Sequence, residues 1–257
     1  MSEKKKYVPP NRRNKSEDEK LKERKARFEK PKQEEYGYVS RGEENKLQKD
    51  ESARRSYFDK IKKMDREKPD LILDSLRKLR EAMLQHKPDE FTKSVYMFSF
   101  EFSSSIGRYQ AYVPCGQFLL REKHLLTKDE IKQIAQVIIL HISHCNNDSG
   151  RAWSLFFRHF TRQDPLYAVL ESWDLEDYYK WIQFFEREKD PARKNVMKLG
   201  LPKMMRHMAA CLTISYFTMA VNDMAHLMVD GDVEQFIDKY NTGWTIEGST
   251  VTLRRRK

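Results

Sequence analysis

The stretch MMRHMAACLTISYFTMAVNDMAHLMVDGDVEQFIDKYNTGWTIEGSTVTL, residues 204–253, carries the pattern that decides the fold. Met208, Cys211, Leu212, Ser215 and Tyr216 recur at helical spacing, which predicts a helix over 204–217 that buries this face. Asn222 fits the N-cap of a short helix over 223–228. Asp230, Gly231 and Asp232 then open a further helix with Val233, Phe236, Ile237 and Tyr240 facing inward. Trp244, Thr245 and Ile246, followed by Glu247-Gly248 and the run 249–253, read as two β-rich segments about a tight turn. Helix, short helix, helix and hairpin in this order predict a winged helix over 201–253.

Working outward from that module, residues 57–200 read as an all-α body of stacked antiparallel helices. Leu71, Leu73, Leu76, Leu79, Met83 and Leu84 form a first apolar stripe. Residues 91–102 are aromatic-rich and fit helix or strand, and 109–120 contain Pro114 and Gly116. Thr127 and Glu130 make a capping box ahead of Ile131, Ile134, Ala135, Ile138, Ile139 and Ile142, with 146–150 as the stop. Ala152, Leu155, Phe156 and Phe160 share the next helical face. Asp164-Pro165 and Asp190-Pro191 are start signals, Asp174 is a cap for a helix reaching Glu188, and Gly200 is a stop. That helix should bury Leu175, Tyr178, Tyr179, Ile182 and Phe185.

The body follows a very different segment. Residues 1–68 hold 23 of the 49 Lys and Arg but 15 of the 39 Asp and Glu, so most of the +10 net charge is N-terminal. Residues 1–56 show no sustained apolar stripe and are expected to form a disordered mixed-charge tail. Residues 254–257 form a second, short basic tail. Cys115, Cys145 and Cys211 are odd in number and widely spaced, as in a reducing compartment. No apolar run approaches the ~20 residues that cross a bilayer, and no membrane partner is expected.

The motifs of catalysis are missing from the sequence: no Gly-rich phosphate loop, nucleophile elbow or HExxH helix. A non-enzymatic protein with no cofactor is the expectation. His141, His144, Cys145 and His159 match no zinc signature, and packing or surface roles are expected for them. Cys115 reads as a buried free thiol. On the helix over 232–240 the outward positions Glu234, Gln235, Asp238 and Lys239 make an acidic surface unsuited to duplex phosphate. Glu234, Asp238 and Lys239, with Thr245, Thr250 and Thr252 of the hairpin, are therefore the candidates for docking a protein partner. Lys4, Lys5, Lys6, Arg12, Arg13, Lys15, Arg54, Arg55, Arg254, Arg255, Arg256 and Lys257 are the candidates for nucleic-acid contact or nuclear targeting.

The order of elements, with 222–228 leading to 233–237 and then 244–248, resembles the PCI family of scaffold subunits. Residues 173–179 and 184–185, then 204–209 and Tyr216, look like its GANP branch, associated with mRNA processing and export. The small PCI subunits of the proteasome lid, the signalosome and translation-initiation complexes fit the chain's size equally well. The resemblance implies a scaffold subunit in nucleus or cytoplasm. Its implied partners are other PCI or helical-repeat subunits, a small acidic peptide of the Sem/DSS type, and RNA. A stand-alone winged-helix nucleic-acid binder is the alternative outside that family.

Overall fold

The computed structural model describes residues 46–229 and 231–254. Among the described residues, ten α-helices come first: α1 (Lys46–Lys49), α2 (Glu51–Lys62), α3 (Pro69–Met83), α4 (Glu90–Ser105), α5 (Tyr109–Arg121), α6 (Lys128–His144), α7 (Ser149–His159), α8 (Pro165–Asp174), α9 (Tyr178–Arg187) and α10 (Pro191–Ser215), with a 3-10 turn (Lys123–Leu125) between α5 and α6. The C-terminal module adds β1 (Thr218–Ala220), α11 (Val221–Ala225), α12 (Val233–Tyr240), β2 (Thr245–Glu247) and β3 (Thr250–Thr252). The fold is thus mostly helical and ends in a small three-stranded antiparallel sheet, ordered β1-β3-β2. No described helix is long and apolar enough to cross a membrane.

Two hydrophobic cores meet at α4. Val95 and Phe102 join Phe58, Ile61, Leu76 and Leu79 in an N-terminal core, while Tyr96 and Phe100 belong to the larger one. A helix between two cores must be apolar on opposite faces, which is why 91–102 shows no single stripe. Ser99 and Ser103 lie buried on it because their hydroxyls donate to the carbonyls of Val95 and Ser99, one turn back.

The helical body starts earlier than the expected boundary at Tyr57. Ala53 and Arg54 are buried in α2, and Leu47 of α1 is fully enclosed. Their apolar positions are too few to form a stripe of their own, and contact with α3 supplies the burial. Within α3 the buried face is Ile72, Leu76, Leu79 and Met83, and Leu71 and Leu84, expected inside, are exposed. Each stands one residue, or 100° of helix, away from a buried position.

The capping signals map closely onto the structure. Thr127 and Glu130 form the reciprocal capping box, and Asp164 and Asp190 accept backbone N–H bonds ahead of a first-turn proline. Asp174 does not cap α9. It ends α8, and Asp177 takes the cap. The intervening Glu176 adopts φ +53° and closes α8 with bonds from Asp177 N–H to the Ser172 carbonyl and from Glu176 N–H to that of Trp173. Leu175 and Tyr179, expected inside, are exposed at this turn, and the buried side chains of α9 are Trp181, Ile182 and Phe185.

Gly200 is not a stop. α10 runs for 25 residues through Gly200 and Pro202, so the expected boundary at 200/201 falls inside one helix. Packing overrides propensity here: Val196, Met197, Leu201, Met204, Met205 and Met208 are buried against the rest of the body. α10 contacts α4, α6 and α9 and carries the chain into the C-terminal module. Its last turn emerges from the core, leaving Ser215 and Tyr216, both expected to be buried, exposed. Asn222 does not cap α11, because Val221 N–H still bonds the Ser249 carbonyl as an extension of the sheet.

Candidate functional site

The C-terminal module shares its interior with the helical body. Val233, Phe236, Trp244, Val251 and Leu253 belong to the same continuous core as Trp173 and Met208. Trp244 fixes the join: its Nε1–H donates to Thr213 Oγ1 of α10 at 2.9 Å, and its ring lies 5.8 Å from that of Phe236. Asp232 caps α12 by accepting from Gln235 N–H, and Asn241 at φ +47° closes the helix. With Val233 and Phe236 inside, helical geometry turns Glu234, Gln235, Asp238 and Lys239 to solvent, where all four are exposed.

The sheet register sorts the threonines. Met219, Val251 and Ile246 align across the three strands as one row, and Val251 is fully buried. Alternation then sends the rows Thr218–Thr252–Thr245 and Ala220–Thr250–Glu247 to the opposite face. Thr245, Thr250 and Thr252 are therefore brought together on a small polar face, and β1 and β2 are its two edge strands. The helix candidates Glu234, Asp238 and Lys239 form a second outward face on α12.

The exit from α10 adds a surface that periodicity did not indicate. Ile214 is 71% exposed and lines a groove of about 350 Å³ with Arg206, Ala210, Thr213, Tyr240 and Thr242. Tyr216 and Phe217 continue the exposed apolar strip toward β1. The guanidinium of Arg254 stands 4.3 Å from the centre of the Phe217 ring, a cation–π contact that anchors the chain after β3. The signal in the sequence is the large apolar side chains Ile214, Tyr216 and Phe217 just before a strand, of which only Tyr216 falls on the face expected to be buried.

The basic candidates separate. Lys4, Lys5, Lys6, Arg12, Arg13, Lys15, Arg255, Arg256 and Lys257 lie outside the described residues. Arg54 is buried, and its Nη1 donates to the carbonyls of Leu47 and Gln48 at 3.0 and 3.1 Å, so it ties α1 to α2 and cannot reach a phosphate. Arg55 is exposed but pairs with Glu51 at 2.7 Å and lies over the Phe91 ring.

His141, His144 and Cys115 lie in packing environments, whereas Cys145 is exposed and His159 and Cys211 are half-buried. Trp181 Nε1–H donates to His144 Nε2 at 2.9 Å, which puts the ring proton on Nδ1, facing the Leu140 carbonyl and Ser143 hydroxyl. Full burial pushes His144 down to about 3. His141 Nδ1 lies 2.9 Å from the Tyr112 hydroxyl, and burial lowers it as well. Burial raises the Cys115 thiol to about 11 despite the neighbouring Arg80, whose Nη1 lies 3.0 Å from the sulfur, so it is a poor nucleophile. Among the described residues, no three His, Cys, Asp or Glu side chains converge on a metal position. No protein-family model matches the chain, and no curated protein matches it.

Proposed function

We propose that the chain is a non-enzymatic scaffold protein that holds partner subunits through its C-terminal module. Within that class, we read it as a PCI-type subunit of an assembly concerned with mRNA processing or export, with α11, α12 and the β1-β3-β2 sheet acting as a winged helix. The reading is supported above all by the continuity of the module's core with the helical body. A module fused this way presents its outward faces without a hinge, and preorganised surfaces lose less entropy on association. Two open sheet edges, a polar threonine face, an acidic helix and an exposed apolar strip suit strand or helix packing by a neighbouring subunit. The acids Glu234 and Asp238 oppose phosphate and disfavour duplex reading by α12.

Cross-linking mass spectrometry on the chain isolated with its partners tests the proposal. Amine-reactive links to other proteins should concentrate at the exposed Lys239 of α12. Links confined to Lys60, Lys78 and Lys132, with Lys239 unlinked, would contradict docking through the module.

A further inference from the structure

A second concave surface lies on the helical body, where α5, α6 and α7 enclose a cleft of about 900 Å³. Arg121, Lys123, Arg151 and Arg158 line it, with His159 beside them, and no carboxylate does. All four cations are exposed, and none forms an ion pair with a described residue. The nearest acid in sequence, Glu122, reaches toward His124 instead. Lys123 and Arg158, from different elements, both depress the protonation of His159, behind its own burial, so their fields overlap inside the cleft. Between the cations the lining mixes the half-buried Leu120 and Leu155 with the polar Gln117 and Ser154.

Convergence of uncompensated cations from separate elements is uncommon for a merely solvated face, because like charges repel unless an anion joins them. Three of the four are arginines, whose planar forks match phosphate oxygens in pairs. The lining selects further. A duplex would offer phosphates alone, whereas a single strand also brings unpaired base faces to Leu120, Leu155 and the planes of the arginine guanidiniums. We propose that this cleft binds a single-stranded nucleic acid, with Arg121, Arg151 and Arg158 on successive phosphates and bases against Leu120 and Leu155. The site is separate from the C-terminal module and does not depend on the scaffold reading.

Fluorescence anisotropy of the full chain with labelled oligo(U) and oligo(dT), at two salt concentrations, tests it. The triple variant Arg121→Gln, Arg151→Gln, Arg158→Gln changes only exposed positions and should keep its melting temperature. Its affinity should fall at least about tenfold, and the slope of log K against log salt should flatten by about 2, at ~0.7 per lost phosphate contact. Neutralising Lys4, Lys5 and Lys6 to Gln should have the smaller effect. Stronger binding of oligo(U) than oligo(dT) would assign the ligand to RNA, and equal binding to either strand chemistry; both support the cleft. Unchanged oligonucleotide affinity in the triple variant would overturn it. So would tighter binding of poly-glutamate than of either oligonucleotide, since the cleft would then be a seat for an acidic peptide.

Discussion

His144 is enclosed by two indoles and a glycine. Trp173 stacks on it at 4.1 Å, Trp181 donates to it, and Gly200 of α10 passes so close that a Cβ there would stand 2.7 Å from Trp173 and 2.8 Å from His144. Gly200→Ala should therefore destabilise the protein even though alanine favours a helix by ~1 kcal/mol, because overpacking a rigid buried site costs about 1–3 kcal/mol. A lower denaturant midpoint checks this, and a raised one would mean the cluster yields easily. His144 also makes stability depend on pH. Its folded-state value of about 3 lies below the ordinary 6.5, so as pH falls below 6.5 the unfolded chain takes up the proton first. The contribution is complete above 6.5 and is lost toward 3, at up to about 1.4 kcal/mol per pH unit. His144→Gln keeps an acceptor for Trp181 and removes the titration. Between pH 7 and 5 its unfolding free energy should fall less steeply than that of the parent. The sequence left packing and surface roles open for His144, because these three partners lie 29 to 56 residues away in the chain.

Among elements, local chemistry was legible and tertiary chemistry was not. Thr127, Asp164, Asp190 and Asp232 cap the helices expected of them, since a cap needs only its own next three residues. Asp174 misled because Glu176 occupies a left-handed position usually given to glycine, and its carboxylate there lies 3.4 Å from Lys203 and 3.3 Å from His207. Gly200 reads as a terminus because the helices that enclose α10 cannot be seen from its own composition. In the C-terminal module, hairpin residues 244–253 were readable from β-rich runs about the turn at Gly248, while β1, as short as β2 and β3, has no turn beside it and pairs with β3 from far along the chain. Phe236 supports this module from below, packing 4.6 Å from Tyr240 and 5.8 Å from Trp244. Phe236→Ala should cost about 3–5 kcal/mol. Because the module's core is continuous with that of the body, the loss should appear as one lowered transition. A separate early transition would show that the module unfolds by itself.

At the scale of the molecule, the two proposals put docking at the C-terminal end and anion binding in the α5–α7 cleft. Periodicity left 91–102 open between helix and strand and placed Glu234 and Asp238 outside, but could not show the cleft, whose cations are spread from 121 to 158 and meet only after α5, α6 and α7 pack. The most direct test of the scaffold account is quantitative co-purification of the double charge reversal Glu234→Lys, Asp238→Lys, with oligonucleotide affinity measured on the same preparation. These exposed changes should leave the fold intact. The account predicts loss of partner protein from the purified complex, with RNA affinity unchanged or slightly raised because two phosphate-repelling acids are gone. An intact complex together with abolished RNA binding would contradict it and make α12 the nucleic-acid reader.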